Sequence, residues 1–219
     1  MRVGLLHPGA MGAFLGAGIA SAGHEVVWAS EGRSAATKAR AADFTDVGSL
    51  RRLVRTAPVI ISVCPPESAL EVARAVADEA FDGLYVDANA VSARTVQAID
   101  ELLPSVVDGA VIGGPSSDDA VLHLAGGRAV AAAAIFDPAV VRTQLHDGPV
   151  GTASTLKACY AASSKAVTAL LLAARASARA SGVEDDLLAE WARTMPEVVE
   201  RSDSSLRRIG AKAWRSRPR

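Results

Sequence analysis

The sequence predicts an α/β protein, a mostly parallel, doubly wound sheet with helices on both faces, followed by a smaller all-α domain. Three observations predict it. Short apolar runs alternate with helical patterns over residues 1–150, as the strands and crossover helices of a parallel sheet do. A glycine-bearing turn joins the first apolar run to the first helix. From Thr152 to Ser181 no Pro or Gly interrupts a stretch rich in Ala and Leu.

The elements follow in order. Val3 to Leu6 reads as the first strand, and Gly12 to Ala22 as a helix closed by Gly23. Glu25 to Ala29 is the second strand, Ser34 to Ala41 a helix, and Phe44 to Val47 a short extended piece. Ser49 caps a helix carrying Leu50 and Leu53. Val59 to Cys64 is a β-branched run of the kind buried on both faces, stopped by Pro65-Pro66. A helix over Ser68 to Ala80, a strand over Leu84 to Asp87 and a helix over Val91 to Leu102 come next. Val106 to Ile112, His123 to Gly126 and Ala129 to Ala134 supply three further strand candidates, for a sheet of seven or eight. The uninterrupted helix after Thr152 would run roughly 45 Å, too long to pack on one small sheet. It reads as the spine of a second domain, 151–219, with helices over Asp185 to Arg193 and Pro196 to Ala213.

Composition narrows the function. Half of the residues are apolar, enough for a sizeable core, and the net charge of −1 gives no pull towards nucleic acid or an anionic membrane. Cys64 and Cys159 lack metal-ligand spacing and suit a reducing compartment. Met1-Arg2 leads into an apolar run of about four residues, too short for a secretory signal core. The longest weakly charged stretch, Ala129 to Ile135, falls far short of a membrane span. A soluble, cytoplasmic protein acting on a small molecule is expected.

The turn His7-Pro8-Gly9-Ala10-Met11-Gly12 carries the chemistry. Glycine between a first strand and first helix lets backbone approach a pyrophosphate, and the helix N-terminus offers N–H groups and a positive dipole end. Gly9 and Gly12 have the spacing of the second and third glycines of the dinucleotide fingerprint, while His7 replaces the first. The expected cofactor is NADP, with NAD possible, held in a Rossmann-type domain. In Ala29-Ser30-Glu31-Gly32-Arg33-Ser34, the side chains of Ser30, Arg33 and Ser34 can form a pocket for a 2′-phosphate. Glu31 lies just past the place where an acid would accept ribose hydroxyls. Val63, Cys64 and Pro65, at another strand end, are expected to line the nicotinamide pocket.

With these residues in hand, the chain resembles the β-hydroxyacid dehydrogenase family, which includes 6-phosphogluconate and 3-hydroxyisobutyrate dehydrogenases. Gly9, Met11 and Gly12 match its Gly-Leu-Gly-x-Met-Gly opening. Asp108-Gly109-Ala110-Val111-Ile112-Gly113-Gly114 is similar to its substrate motif, and Gly148 to Lys157 to its catalytic segment. The run Ser154 to Ala162 looks closest to a bacterial subgroup loosely labelled 6-phosphogluconate dehydrogenase-like, whose substrates are mostly undefined. The resemblance implies a Rossmann domain over 1–150, a helical domain for substrate and dimerisation, and a homodimer through the C-terminal helices. Two departures stand out: Ala161 replaces a common Asn four residues after the Lys, and Asn89-Ala90 replaces a Ser-Thr type pair. Related chains run on past Ala213, so a short helical domain is expected here.

Hydride chemistry at a carbonyl or alcohol needs a proton carrier, and the resemblance puts Lys157 there. Burial in a partly apolar cleft would lower its pKa towards neutrality. Asn89 would orient a substrate hydroxyl or the nicotinamide, or else cap the following helix. Gly113 and Gly114 would bring backbone N–H groups to a substrate carboxylate, or form a plain turn. Tyr160 and Lys165 complete the expected substrate set, Lys165 reaching a distal anionic group or a neighbouring acid. His123 and His146 have no recognisable partner, and no His pair has metal spacing. The basic run from Arg207 to Arg219 reads as a solvated helix and frayed end. Besides dehydrogenation, a cofactor-binding protein with lost or weak catalysis and an imine reductase-like enzyme are open alternatives.

Overall fold

The computed structural model describes residues 1–115 and 119–213, the side chains of 208–213 excepted. The end of the basic run, with Arg215, Arg217 and Arg219, lies outside the described residues.

The chain divides into two compact units, Met1–Ala158 and Cys159–Arg219. The first contains β1 (Arg2–Leu6), α1 (Ala10–Ser21), β2 (Glu25–Trp28), α2 (Ala35–Arg40), β3 (Thr45–Asp46), α3 (Leu50–Thr56) and β4 (Val59–Ser62). A short 3-10 turn, Pro66–Ser68, leads into α4 (Ala69–Asp78), then β5 (Leu84–Asp87), α5 (Ala93–Asp100) and β6 (Val106–Ile112). It ends with β7 (Val121–Ala125), α6 (Ala129–Ala133), β8 (Arg142–His146) and the start of α7 (Thr152–Ala180). Among the described residues, eight strands form one sheet in the order β3-β2-β1-β4-β5-β6-β7-β8, and β6 with β7 is the antiparallel pair in an otherwise parallel ladder. The strand order reverses between β1 and β4, where open α/β sheets leave a crevice at the carboxyl ends.

Strands buried on both faces explain the continuous apolar runs. Leu5, Ile61 and Val86 pack with Leu15 and Ile19 of α1 on one face, and Ile60 and Tyr85 pack with Leu53, Val76 and Val96 on the other. Ser34, Ser49 and Ser92 cap α2, α3 and α5 through their hydroxyls.

Two expectations about the late strands are corrected. Ala129–Ala133 is a helix, because four alanines of high helix propensity leave Val130, itself exposed, as its single β-branched side chain, too little to fill a pleated face. The last strand is instead Arg142–His146, an edge strand whose polar, largely exposed pattern hid it.

The second unit holds the rest of α7, α8 (Glu184–Thr194) and α9 (Pro196–Ala213). Arg175 ties these three helices together, 3.1 Å from Glu184 and 2.6 Å from Asp203, with a further bond to Ser202. Among the described residues no helix is long and apolar enough to cross a membrane.

Candidate cofactor and active site

The turn after β1 is held in an unusual backbone state. His7, in the first glycine's place, has φ +64° in the left-handed region, and its carbonyl accepts from the Gly9 N–H at 2.6 Å. A Cβ at Gly12 would stand 2.7 Å from that carbonyl oxygen, so only glycine fits where helix and turn touch. Gly9 is the N-cap of α1 and supplies no side-chain cap, which leaves first-turn N–H groups for an incoming ligand.

These atoms form one wall of a cleft of about 400 Å³. The turn residues His7, Gly9, Ala10, Met11 and Gly12 face Val63, Cys64 and Pro65 from the end of β4, and Arg33 and Thr37 stand at one end. A smaller hollow of about 170 Å³ adjoins it, lined by Ala29, Leu50, Val72 and Ala75 with Glu31 and Arg33 at its polar side. The imidazole of His7 is pushed down to about 4 by burial first and by the Arg33 charge second, so it is neutral at physiological pH. Its Nδ1 and the Nε of Arg33 are buried without partners. Buried polar atoms normally find partners, so two orphans beside an uncapped helix N-terminus fit a polar, anionic ligand. Burial also raises the Cys64 thiol to about 11, so it meets the cleft as a neutral, weakly polar contact.

Other expected cofactor residues are drawn into local structure. Ser30 bonds Asp46 through its backbone N–H, at 3.2 Å, and through its hydroxyl. Ser34 accepts from the Thr37 N–H as the cap of α2, and the Pro8 carbonyl accepts from Arg40. Thr37, which sequence reasoning passed over, lines the cleft because it sits one helical turn inside α2.

Asn89 reaches the strand ends but spends its amide inside the protein. Its Oδ1 accepts from the Cys64 N–H at 2.5 Å, while its Nδ2 donates to Asp87 at 2.8 Å and Ser62 at 3.2 Å. At 2 % exposure it joins β4 to β5, and Ser92 takes the capping role. Asp108 accepts from the backbone N–H groups of Gly151 and Ser154, both at 2.9 Å, and from the Ser154 hydroxyl at 2.6 Å. The first turn of α7 is thereby seated on β6. Lys157 follows on that helix, half-buried, with its charge felt at Asp87. The site-bearing motifs thus converge within the first unit, through Cys64, Asn89, Asp87 and Lys157. Asp87 and Ser154 were absent from the expected site, although each sits within a segment singled out for other residues.

The remaining expected residues are placed as follows. Gly113, φ +108°, is demanded by the turn after β6, where a Cβ would meet Ala120 at 2.7 Å, whereas Gly114 faces open space. Tyr160 and Lys165 belong to the second unit and are exposed. His123 and His146 do have partners, namely each other: Nδ1 and Nε2 lie 2.8 Å apart across β7 and β8. Their separation in sequence concealed a contact that only strand register creates. Among the described residues no three His, Cys, Asp or Glu side chains gather to hold a metal ion.

No family model and no curated protein matches the chain. Solved structures do. The conserved protein MTH1747, of unknown function and structurally similar to 3-hydroxyacid dehydrogenases, is 28 % identical with a TM-score of 0.79, over 98 % of this chain and 84 % of its own. A Mycobacterium tuberculosis 3-hydroxyisobutyrate dehydrogenase, solved with L-serine, is 19 % identical with a TM-score of 0.69, over 89 % of this chain and 70 % of its own. An imine reductase from Myxococcus stipitatus, in complex with NADP+, is 18 % identical with a TM-score of 0.65, over 99 % of this chain and 78 % of its own. The chain is therefore built on the 3-hydroxyacid dehydrogenase-like fold.

Proposed function

We propose that this protein is an NAD(P)-dependent oxidoreductase acting between NADP(H) and a β-hydroxyacid-type or related carbonyl substrate, with Lys157 as the proton carrier. One observation carries the reading: an uncapped helix N-terminus opens a cleft whose own side chains leave His7 Nδ1 and Arg33 Nε unpaired. The residues present fit the cofactor. First-turn N–H groups of α1 would take the pyrophosphate, the hollow beside Val72 and Ala75 the adenine, and Arg33 the 2′-phosphate. Val63, Cys64 and Pro65 would bear on the nicotinamide, which supplies the hydride when bound. The imine reductase that shares the fold was seen with NADP+, in keeping with this choice.

Within the protein, Asn89 holds the Cys64 backbone against the nicotinamide side of the cleft, and α7 presents Lys157 from its seat on Asp108. Lys157 would exchange a proton with the substrate oxygen as the carbonyl is reduced or the alcohol oxidised. The protein would act in the cytoplasm as a homodimer, with Val167 and Leu170, exposed apolar side chains of the helical unit, in the contact.

Titration of the tryptophan emission with NADPH and NADH tests the cofactor. Quenching by NADPH at micromolar concentration is expected, and no response to either nucleotide would sink the reading. Turnover is then screened over 2- and 3-hydroxy acids and their keto forms. Lys157→Ala should lose about 10²–10⁴-fold in rate with cofactor affinity kept. Imine reduction is the second reading, favoured by Ala161, which puts no hydrogen-bonding group where the resembled family has an amide. Cyclic imines in the same screen decide between the two.

A further inference from the structure

Two buried acids, Asp87 and Asp108, stand where the helix bearing Lys157 is seated, and the proton-carrier role alone does not account for them. Asp87 closes β5 and stands opposite Asp108 of β6, both at 0 % exposure. Their hydrogen bonds divide the labour. Asp108 collects two N–H groups and the hydroxyl from the first turn of α7, so it fixes the helix that bears Lys157. Ser154, which makes two of those bonds, is three residues before Lys157, and residues so spaced share a helix face. Asp87 accepts from the backbone N–H and the side-chain amide of Asn89, at 3.1 and 2.8 Å.

Among the described residues, four titratable groups bear on Asp87 or are felt by it. Tyr85 comes from its own strand, Cys64 from the end of β4, Asp108 from β6 and Lys157 from α7. Burial keeps the phenol and the thiol neutral. Burial first raises the Asp87 carboxyl, to about 6; the two bonds from Asn89 pull it down, Asp108 adds to the rise, and the charge of Lys157 favours the carboxylate. Attraction between opposite charges is mutual and strong in a poorly hydrated interior.

We propose that Asp87, backed by Asp108, is a positioning residue that holds Lys157 as its ammonium and so makes this site a proton donor, built to reduce C=O or C=N bonds. The inference rests on Lys157 being the proton carrier of the reading above. In the reducing direction, with a reduced nicotinamide as the hydride source, Nζ–H gives its proton to the substrate oxygen or nitrogen. The neutral amine left behind regains a proton from solvent, and Asp87 itself gains and loses nothing. Oxidation of an alcohol would instead need the free amine, which the two carboxylates disfavour. This reverses the expectation from burial alone, in which an apolar cleft frees the lysine of its proton.

The test needs neither cofactor nor substrate. The full chain is acylated with acetic anhydride across a pH series, and the extent at Lys157 and at the surface residue Lys38 is read from tryptic peptides by mass spectrometry. The proposal expects Lys157 to titrate at or above Lys38. A wild-type midpoint a unit or more below that of Lys38 overturns it, whatever any variant does. In Asp87→Asn, checked for folding by circular dichroism, the Lys157 midpoint should fall by about one pH unit, a roughly tenfold gain in reactivity near pH 8, with Lys38 unmoved. An unmoved Lys157 in the folded variant also overturns it. Cofactor titration that fails while Lys157 behaves as expected would remove the oxidoreductase reading and leave the electrostatic one standing.

Discussion

His7 occupies a left-handed backbone position that glycine adopts freely and an L-residue holds at a cost of roughly 1–2 kcal/mol. What the chain gains there is a neutral imidazole packed beside Arg33, which leaves the guanidinium as the charged group at that end of the cleft. Arg33 is therefore the residue on which discrimination between the two nucleotides should turn. Arg33→Gln is expected to weaken NADPH binding by about 10–100-fold and NADH binding by less than about threefold, read by fluorescence titration of each. Equal losses for both would place Arg33 outside the 2′-phosphate contact. Arg33 was legible from its place after the second strand, and the turn glycines from their spacing. The local bonds of Ser30, Ser34 and Asn89 were not legible, for a common reason. Their side chains suit phosphates, caps and internal ties equally well, and the residue type does not say which partner wins. The His123–His146 contact was invisible for a different reason, since it depends on the register of β7 against β8.

At the scale of elements, the junction of β6 with α7 decides where Lys157 stands. A fully buried Asp108 receives three hydrogen bonds from the first turn of that helix, two of them from backbone N–H groups that otherwise lack partners. Asp108→Ala leaves those donors buried and unpaired, and should cost about 2–4 kcal/mol, or roughly 5–15 °C in midpoint by thermal unfolding. Ser154→Ala removes one hydroxyl bond and keeps the N–H, so about 1 kcal/mol is expected. Similar losses in both variants would show that the carboxylate is not the anchor. The Asp-to-Gly114 motif and the helix after Thr152 were both legible, yet nothing in either states that one seats the other. The late sheet was less legible. A polar edge strand lacks the alternation that marks a half-buried one, and an apolar alanine run looks like a strand when only hydrophobicity is weighed. The division between the compact units falls inside α7, where an unbroken helix gives no local sign of a boundary.

Over the whole molecule, two buried groups make the stability respond to acid in opposite senses. His7 falls from 6.5 to about 4 in the folded protein, so between these values the unfolded chain binds the proton and the folded one does not. Acidification through that window therefore destabilises the protein through His7. Asp87 rises from 3.8 to about 6, so here the folded protein binds the proton first, and acidification through nearly the same window stabilises it. The two contributions oppose each other between pH 4 and 6.5, where His123, also lowered by burial, acts in the sense of His7 and Asp100, raised by burial, in the sense of Asp87. The exposed carboxylates whose pKa values are lowered, Glu25, Asp46 and Asp137, start from 4.5 or below and lose their contributions under more acid conditions. Single substitutions should expose the hidden slopes. His7→Asn keeps a side chain tolerant of the left-handed backbone and removes the imidazole, so its unfolding midpoint should climb relative to wild type on going from pH 7 to pH 5. Asp87→Asn should do the reverse and fall over the same interval. Each difference is on the order of 1–2 kcal/mol, or roughly 2–8 °C, measured by calorimetry at the two pH values. Parallel pH responses for the wild type and both variants would mean that neither group titrates apart from its unfolded value, and the opposition between His7 and Asp87 would fall with it.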